Sequence, residues 1–393
     1  MLLPMLLAAA TPVAASAAAT GVAPVTTLAP DSEARWVPFE LTPGNQIRFT
    51  MTLDGRTVTA ILDTGVSVSV LAQRYATEQR LPVHAVGRAD VIGGTLPVGR
   101  AETATLTIGG LTRRGGTVIV ADLPAAATRA GLAGEATVDM LVGRDLTAAY
   151  ALDIDYRTRR FRLLRSGRIP FAGATAPLVI APDRQLYMSA LTIGGVALKP
   201  VIVDTGDGAA VTLGAASWAR TTLGPPATST ISYGLAGAVE TGLTIVPRVA
   251  LGNPVARDVE VRIEPAGGFS DTIGVAGRIG SGFLQRYRVL LDPGAGHMLL
   301  SETGAAAVER STSGLLLAFA ADRLRVLHVM RNSPAAAAGW KTGETICAVD
   351  GAPVTRASLA TPAGQWPTGT AGRRVALTLC DGTQRTLTLR AFY

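Results

Sequence analysis

The sequence contains the stretch FTMTLDGRTVTAILDTG at residues 49–65 and a related stretch, YMSALTIGGVALKPVIVDTG, at residues 187–206. In both, a turn signal separates two runs rich in strand-forming residues, and the second run ends in Asp-Thr-Gly. Self-similarity of this kind indicates a duplicated structural unit. We therefore expect two strand pairs, each of which ends at an Asp-Thr-Gly turn.

Further landmarks follow both stretches in the same order and at similar spacing. They are a strand that ends in glycine, a run rich in β-branched residues, an apolar residue followed by glycine, and a hairpin that contains aspartate. In the two copies these landmarks lie at Gly109 and Gly252, 118–120 and 259–261, Gly143 and Gly280, and Asp153 and Asp292. The repeat predicts two domains of about 130 residues, a size at which one hydrophobic core suffices.

The composition favours short strands and tight turns over long helices. Charged residues make up 17% of the 393 residues, whereas glycine (44) and proline (23) are plentiful. We expect a mainly β protein with linkers where proline and glycine accumulate. The predicted division is a leader at 1–19, a first lobe at 35–168, a linker at 166–182, a second lobe at 174–305, a linker at 302–313 and a small β-rich domain at 311–393.

Asp63 and Asp204 are the candidate catalytic residues. Hydrolysis of a peptide bond by carboxyl groups needs one ionised carboxylate, which takes a proton from water, and one protonated carboxyl, which hydrogen-bonds the scissile carbonyl. The threonine after each aspartate supplies a hydroxyl for a supporting hydrogen bond, and the glycine allows the turn to pack closely. The alternative is that each Asp-Thr-Gly is a polar turn at the end of a buried strand.

Both motifs, with their preceding apolar strands and the later apolar-glycine landmark, resemble those of retropepsin and pepsin-like aspartic peptidases over residues 40–300. The resemblance implies two β-barrel lobes that form a cleft, with one aspartate from each lobe. It also implies that the two threonines brace the site by crossed hydrogen bonds. The residues concerned are the catalytic pair Asp63 and Asp204, the supporting Thr64, Gly65, Thr205 and Gly206, and Gly143 and Gly280 behind the two turns.

The same family covers its substrate with a glycine-rich β-hairpin, called the flap. Two segments of this sequence are candidates, one in each predicted lobe, and ordinary hairpin tips are the alternative for both. The flap of pepsin-like enzymes lies in the first lobe, whereas the Tyr-Gly pair lies in the second. The candidate flap residues are Gly93, Gly94, Tyr233 and Gly234.

The motifs depart from the family pattern at the residue after each glycine. Val66 stands where the family usually has serine or alanine, so the carboxylate of Asp63 is expected to lack one hydrogen bond. Asp207 adds an acid beside the second motif. It raises the pKa of its neighbour if it points inward, but we expect a solvated turn residue.

The C-terminal segment contains SPAAAAGWKTGETI at residues 333–346 and VDG at residues 349–351. Ser333 and Pro334 begin a short helix that Gly339 ends. The pattern is similar to that of bacterial PDZ domains, which implies a loop that holds a peptide C-terminal carboxylate while the peptide adds a strand. The alternative is a domain that merely packs on the second lobe. The loop residues are Gly314, Leu315, Leu316 and Leu317.

Charge and cysteine content restrict the partners. The net charge is +7, but the arginines are scattered and aromatic residues make up only 5%, so we expect no nucleic-acid partner. Cys347 and Cys380 fit no zinc-ligand pattern, so we expect no metal and no other cofactor. Whether these two cysteines pair or remain free thiols stays open.

Residues 1–19 carry no charge and change from an apolar run to small residues, as in a signal peptide. We therefore expect export to the bacterial periplasm or the medium, without an integral membrane segment in the mature form. Together the patterns predict an exported aspartic endopeptidase that acts on protein or peptide substrates. The rival hypothesis is a non-catalytic periplasmic peptide-binding protein on a degenerate protease scaffold.

Overall fold

A computed structural model describes residues 23–123, 137–304, 310–359, 361 and 364–393. The leader predicted at residues 1–19 lies outside the described residues. Of the described residues, 49% lie in strands and 11% in helices, which confirms that the protein is mainly β with a few short helices. Within the described residues, no helix has the length and apolar character needed to cross a bilayer.

Within the described residues, the first part of the chain forms short strands, two short α-helices and one 3-10 helix (Ser32–Ala34). Strand β4 alternates between buried and more exposed residues, as expected for a strand with one face on a core. The elements are β1 (Val25–Leu28), β2 (Val37–Pro38), β3 (Glu40–Leu41), β4 (Ile47–Leu53), β5 (Arg56–Leu62), β6 (Val70–Ala72), α1 (Gln73–Glu78), β7 (His84–Val91), β8 (Gly94–Glu102), β9 (Thr105–Ile108), β10 (Leu111–Arg114), β11 (Thr117–Ala121), β12 (Met140–Val142), α2 (Arg144–Thr147), β13 (Ala151–Asp155) and β14 (Arg160–Leu164).

The second part of the chain has a similar order of elements. Two of these strands lie within residues 174–180, where the predicted linker (166–182) and the predicted second lobe (174–305) overlap. One of them, β15, pairs with β25. The elements are β15 (Ala174–Pro177), β16 (Val179–Ile180), β17 (Tyr187–Ile193), β18 (Val196–Asp204), β19 (Val211–Leu213), α3 (Ala215–Ala219), β20 (Thr228–Gly234), β21 (Gly237–Ala250), β22 (Val255–Ile263), α4 (Phe269–Thr272), β23 (Gly277–Gly280), α5 (Ser281–Leu284), β24 (Tyr287–Asp292) and β25 (His297–Glu302).

Two large sheets contain the repeated strands, and their strand orders correspond. The first runs β1-β10-β9-β4-β5-β12-β6-β11-β8-β7, and the second runs β16-β17-β18-β23-β19-β22-β21-β20. In both, a short strand lies parallel to the strand that leads into Asp-Thr-Gly: β12 beside β5, and β23 beside β18. Each catalytic candidate therefore stands at the end of a strand in the middle of a sheet.

A third sheet joins the two parts of the chain, in the order β15-β25-β24-β13-β14-β2. Its central pair is β13 and β24, the two hairpin strands that the repeat identified. The carboxylate of Asp153 is fully buried there and pairs with Arg162 at 2.9 Å and with Arg288 at 2.8 Å. Because a buried carboxylate needs such partners, the charge is stabilised by one arginine from each part.

The C-terminal residues form a smaller β-rich unit, which we call the C-terminal unit (residues 310–393). It has its own apolar core around Trp340 and Trp366, separate from the core of the two large sheets. Cys347 and Cys380 form a disulfide bond, which resolves the alternatives that the sequence left open. Its elements are β26 (Leu315–Ala320), β27 (Arg323–Val329), α6 (Pro334–Ala337), β28 (Thr345–Val349), β29 (Ala352–Pro353), α7 (Arg356–Leu359), β30 (Arg374–Leu379) and β31 (Gln384–Thr388).

Candidate active site

The two Asp-Thr-Gly turns lie face to face and are joined by crossed hydrogen bonds. The hydroxyl of Thr64 donates to the backbone oxygen of Val203, and that of Thr205 donates to the backbone oxygen of Leu62, both at 2.7 Å. Each hydroxyl also accepts the backbone N–H of the other threonine at 3.0 Å. Both threonines are buried. The four bonds are therefore shielded from water and hold the turns in one relative position.

The carboxyl groups of Asp63 and Asp204 each pack against the glycine of the opposite turn. A β-carbon on Gly65 would lie 2.3 Å from Cγ of Asp204, and one on Gly206 would lie 2.3 Å from Cγ of Asp63. Each glycine also donates its N–H to the aspartate of its own turn, at 3.0 Å and 2.9 Å respectively. The structure thus brings together the two carboxyl groups that the sequence singled out, and glycine is what allows this approach.

The hydrogen bonds to the two carboxyl groups differ. Oδ1 of Asp204 accepts a second backbone N–H, from Asp207, at 3.0 Å. The corresponding N–H in the first turn, that of Val66, is directed to the backbone oxygen of Asp63 at 3.4 Å. This agrees with the expectation of one fewer hydrogen bond at the first carboxylate. Because N–H donors stabilise the ionised form, they favour ionisation of Asp204 over Asp63.

The titration of the pair follows from burial and mutual repulsion. Burial raises the pKa of Asp63 well above its usual value, and the charge of Asp204 and the hydrogen bond with it raise it further. Burial and the charge of Asp207 raise the pKa of Asp204 to about 6, while Arg278 and two backbone N–H groups oppose the rise. The two carboxyl groups therefore titrate as a coupled pair, and Asp204, which accepts the additional backbone N–H, is the group that ionises first.

Asp207 points into the protein, so the expectation of a solvated turn residue was wrong. Its Oδ2 pairs with Nε of Arg278 at 3.0 Å, and Nη1 of the same arginine pairs with Oε1 of Glu264 at 2.8 Å. Burial alone would raise the pKa of Asp207, but the charge of Arg278 and the N–H of Ala209 hold it below its usual value. Asp207 is therefore an ionised neighbour, and its negative charge raises the pKa of Asp204.

Both predicted flap segments are hairpin tips, and the two tips touch each other. One joins β7 to β8 and the other joins β20 to β21. The N–H of Ala236 donates to the oxygen of Ile92 at 3.2 Å, and a β-carbon on Gly234 would lie 2.1 Å from that oxygen. Tyr233 and Gly234 line the same cavity as Asp63 and Asp204. Gly93 and Gly94 line a neighbouring cavity of about 350 Å³ instead.

The cavity between the aspartates and the hairpin tips has a volume of about 320 Å³. A loop of the first part of the chain reaches across to the second turn and forms one side of the cavity. Nδ2 of Asn45 donates to the oxygen of Gly208, and Nε2 of Gln46 donates to the oxygen of Gly206, both at 3.0 Å. The cavity is thus built from both parts of the chain, which suits a substrate that runs between them.

Gly143 and Gly280 lie behind the two turns, as the resemblance implies. A β-carbon on Gly143 would lie 2.9 Å from the backbone nitrogen of Ser69, and one on Gly280 would lie 2.3 Å from the backbone oxygen of Asp207. Of the predicted carboxylate loop, Leu316 lines the cavity that contains the two aspartates. The role of this loop in binding a peptide terminus stays a prediction.

Sequence reasoning missed several residues around the aspartates. Arg278 occupies the position in the second copy that corresponds to the apolar Leu141 in the first. A comparison of the two copies would have identified it, because a charged residue is unusual inside a buried strand. Leu316 was predicted only as a residue of the carboxylate loop, and no signal indicated its position beside the aspartates, because it lies far from both motifs in the chain. The other missed residues are Asn45, Gln46, Arg262, Glu264 and Phe269.

A comparison with models of known families agrees with the geometry of the first turn. Residues 49–146 match the model of the aspartyl protease family. The matched region contains Asp63, Thr64 and Gly65, and it supports a retropepsin-like aspartic protease relationship. The matched region ends before Asp204, so the assignment of the second half of the site depends on the internal repeat and on the contacts between the two turns. A search of curated proteins found no match to the chain.

In the part of the chain that the structure describes, no group of three or more histidine, cysteine, aspartate or glutamate side chains is arranged to hold a metal ion. The expectation that the protein uses no metal or other cofactor stays a prediction.

Proposed function

We propose that this protein is an aspartic endopeptidase in which Asp63 and Asp204 activate water for hydrolysis of a peptide bond. The observation that carries the proposal is the pair of carboxyl groups, each packed against the glycine of the opposite turn and braced by crossed threonine bonds. A pair of unrelated polar turns would have no reason to meet in this way. The aspartyl protease match of residues 49–146 supports the same function.

The geometry supports separate roles for the two aspartates. Asp204, whose pKa is about 6, is the ionised partner and takes a proton from water as the water oxygen attacks the peptide carbonyl carbon. Asp63, whose pKa is raised well above its usual value by burial and by the charge of Asp204, is the protonated partner and donates to the carbonyl oxygen. A proton then passes to the peptide nitrogen while the C–N bond breaks, and the two carboxyl groups again share one proton.

The cleft is suited to an internal peptide bond. The two aspartates line a cavity formed by both large sheets, and the two hairpin tips meet beside it. An extended chain entering between the sheets meets backbone and apolar groups from both sides. We therefore assign an endopeptidase that acts on peptides or unfolded protein segments.

We further propose that the protein is exported, that residues 1–19 are a signal peptide, and that residues 311–393 are a PDZ-like domain. The disulfide between Cys347 and Cys380 supports an oxidising compartment, because such bonds persist outside the cytosol. The capped helix α6, with Ser333 accepting the N–H of Ala336 at 3.1 Å, supports the PDZ-like pattern. Cell fractionation with N-terminal sequencing of the mature protein tests export: a full-length cytosolic protein contradicts it.

A mixed peptide library incubated with the wild type and with Asp63→Asn and Asp204→Asn tests the catalytic proposal. We expect cleavage by the wild type and a loss of about 10²–10⁴-fold in each variant, because each variant removes one partner of the proton transfer. Asp183→Asn, at an exposed acid, is the control that keeps full activity. Cleavage by either active-site variant at the wild-type rate contradicts the mechanism.

The rival function is a non-catalytic peptide-binding protein. A peptide that carries a statine residue, which mimics the tetrahedral intermediate, separates the two. A working pair of carboxyl groups binds this mimic more tightly than the matched peptide, and Asp63→Asn or Asp204→Asn removes the difference. Equal affinity for both ligands in the wild type favours the binding protein.

A further inference from the structure

The C-terminal unit contributes a side chain to the cavity that contains the two aspartates. Leu316 lines this cavity together with Asp63 and Asp204, although it lies in the unit with the separate core. Its neighbours in strand β26 are turned the other way: Leu315 is 4% exposed within the core of the C-terminal unit, and Leu317 packs against that core. Leu316 therefore faces away from this core and into the cleft, next to an irregularity in the β26–β27 pairing between Leu316 and Leu317.

The face that carries Leu316 is held in place by polar contacts. The cross-strand partner of Leu316 is His328, whose Nε2 lies 2.8 Å from Oγ of Ser229 on strand β20. The same hydroxyl accepts the N–H of Arg331 at 3.2 Å, and the hydroxyl of Thr228 donates to the oxygen of Arg331 at 2.5 Å. Both the serine and the histidine are buried. These contacts make the position of Leu316 relative to the second sheet a defined feature of the fold.

The same strand connects this contact to the cleft. Strand β20 begins at the contact with the C-terminal unit and ends at the hairpin tip, where Tyr233 and Gly234 line the cavity. Thr230 and Ser232 of the same strand also line it. The cavity wall therefore continues from the hairpin of the second sheet onto the C-terminal unit.

Two backbone N–H groups of the loop before Leu316 form hydrogen bonds within the loop itself. The N–H of Gly314 donates to Oγ of Ser311 at 2.9 Å, and the N–H of Leu315 donates to Oγ of Ser313 at 3.1 Å. These two donors are among those that a peptide carboxylate would need in the PDZ-like mode. The structure thus supports a role of this segment in peptide binding through the side chain of Leu316, which lines the cavity, more than through these two N–H groups.

We propose that Leu316 forms the wall of a substrate subsite, so that the C-terminal unit selects an apolar side chain at one position of the bound peptide. The inference rests on the proposed function, because it takes the cavity beside the aspartates as the substrate cleft. An apolar wall favours a substrate side chain that removes apolar surface from water on binding. The C-terminal unit is then a part of the substrate cleft.

A panel of statine peptides tests this inference by binding, without requiring turnover. Each peptide places either leucine or serine at one position on either side of the statine, and affinities are measured for the wild type, Leu316→Ser and Leu223→Ser. Leu223 is the matched control, because it is 44% exposed and does not line the cavity. Melting temperatures show whether each variant is folded.

At one position of the statine peptide, we expect the wild type and Leu223→Ser to bind the leucine peptide on the order of tenfold more tightly than the serine peptide. We expect Leu316→Ser to lose most of this preference. A second variant, Leu316→Phe, is expected to shift the preference at the same position toward smaller side chains. A merely structural role for Leu316 would weaken all peptides alike, and that result overturns the inference. A wild-type protein that binds none of the statine peptides also overturns the inference.

Hydrolysis of the matched peptides without statine is measured in parallel. A wild type that shows the Leu316-dependent preference but cleaves no peptide contradicts the proposed catalysis and leaves the subsite intact. A wild type that cleaves peptides while Leu316→Ser keeps the full leucine preference overturns the subsite and leaves the catalysis intact.

Discussion

The α-carbon of Gly65 lies so close to the carboxyl group of Asp204 that a β-carbon would be 2.3 Å from Cγ. The relationship is reciprocal, because Gly206 packs in the same way against Asp63. No real β-carbon tolerates such a distance, so the spacing of the two carboxyl groups depends on the absence of a side chain at these two positions.

Gly65→Ala is expected to reduce kcat/KM by about 100-fold or more, because the added methyl group displaces the carboxyl group of Asp204. The backbone of Gly65 is outside the left-handed region, so alanine can adopt its conformation. The loss is therefore local and steric. Peptide cleavage and circular dichroism of the same variant check this. A fully active Gly65→Ala enzyme would show that the carboxyl groups do not need this spacing.

The acidic limb of the pH profile of kcat/KM is expected near pH 6, because activity requires ionised Asp204, whose pKa is about 6. Activity then falls as the pH drops through this value. The alkaline limb lies higher and reflects loss of the proton from Asp63, whose pKa is raised well above its usual value. Rates measured across pH on one peptide test the assignment. An acidic limb near pH 4, the range of an ordinary aspartate, would contradict it.

Asp207→Asn is expected to move the acidic limb to lower pH. The negative charge of Asp207 raises the pKa of Asp204, while Arg278 lowers it and remains paired with Glu264 in the variant. Removal of the negative charge therefore favours ionised Asp204 at lower pH. Asp183→Asn, at an exposed acid, is the control. A limb that stays in place or moves upward would show that Asp207 does not act on Asp204 in this way.

Thr64→Val is expected to lower the free energy of unfolding by about 2–5 kcal/mol, because it removes two buried hydrogen bonds and leaves their partners unpaired. These partners are the oxygen of Val203 and the N–H of Thr205. Valine has nearly the same shape, so packing is preserved. Thr57→Val, on the exposed face of strand β5, is the matched control. Chemical denaturation of both variants measures the difference, and equal stabilities would refute the prediction.

Arg278→Met is expected to destabilise the protein by about 3–5 kcal/mol at pH 7, because it leaves two carboxylates without their buried partner. The carboxylates are Asp207 and Glu264, and the arginine side chain is 2% exposed. In the variant, Asp207 loses the arginine charge that holds its pKa below the usual value, so burial raises its folded-state pKa above the unfolded value. The variant's penalty is therefore largest at neutral pH and shrinks as the pH falls toward about 4.

The control for Arg278→Met is Arg35→Met, at an arginine whose pair with Asp31 is exposed. Water already screens that pair, so its loss is expected to leave the free energy of unfolding almost unchanged. Denaturation curves at pH 7 and at about pH 4 compare the two variants. A difference between wild type and Arg278→Met that grows on acidification would contradict the assigned ionisation of Asp207.

The strand pairs and the two turns could be predicted from the sequence because they depend on neighbouring residues. Alternating apolar positions define β4, and glycine defines the turns beside Asp63 and Asp204. The repeat then predicted that both parts of the chain share their landmarks, and the corresponding strand orders agree with it. The mainly β fold and the two candidate aspartates could be predicted from the sequence for this reason.

Other features depend on residues that are distant in the chain. The direction of Asp207 is decided by Arg278, with which it pairs, and the motif itself contains no information about that partner. Strand β15 forms within the predicted linker because β25 offers it a free edge for pairing. The position of Leu316 follows from the contact between His328 and Ser229.

The sequence by itself determined where strands end in Asp-Thr-Gly and that this happens twice, since strand propensity and glycine turns act over a few residues. Only the tertiary structure decided that the two carboxyl groups meet, which of them ionises first, and that the C-terminal unit reaches the same cavity. Burial, charge pairing and close packing cause these features. All three arise only when distant segments come together, so no local pattern of residues specifies them.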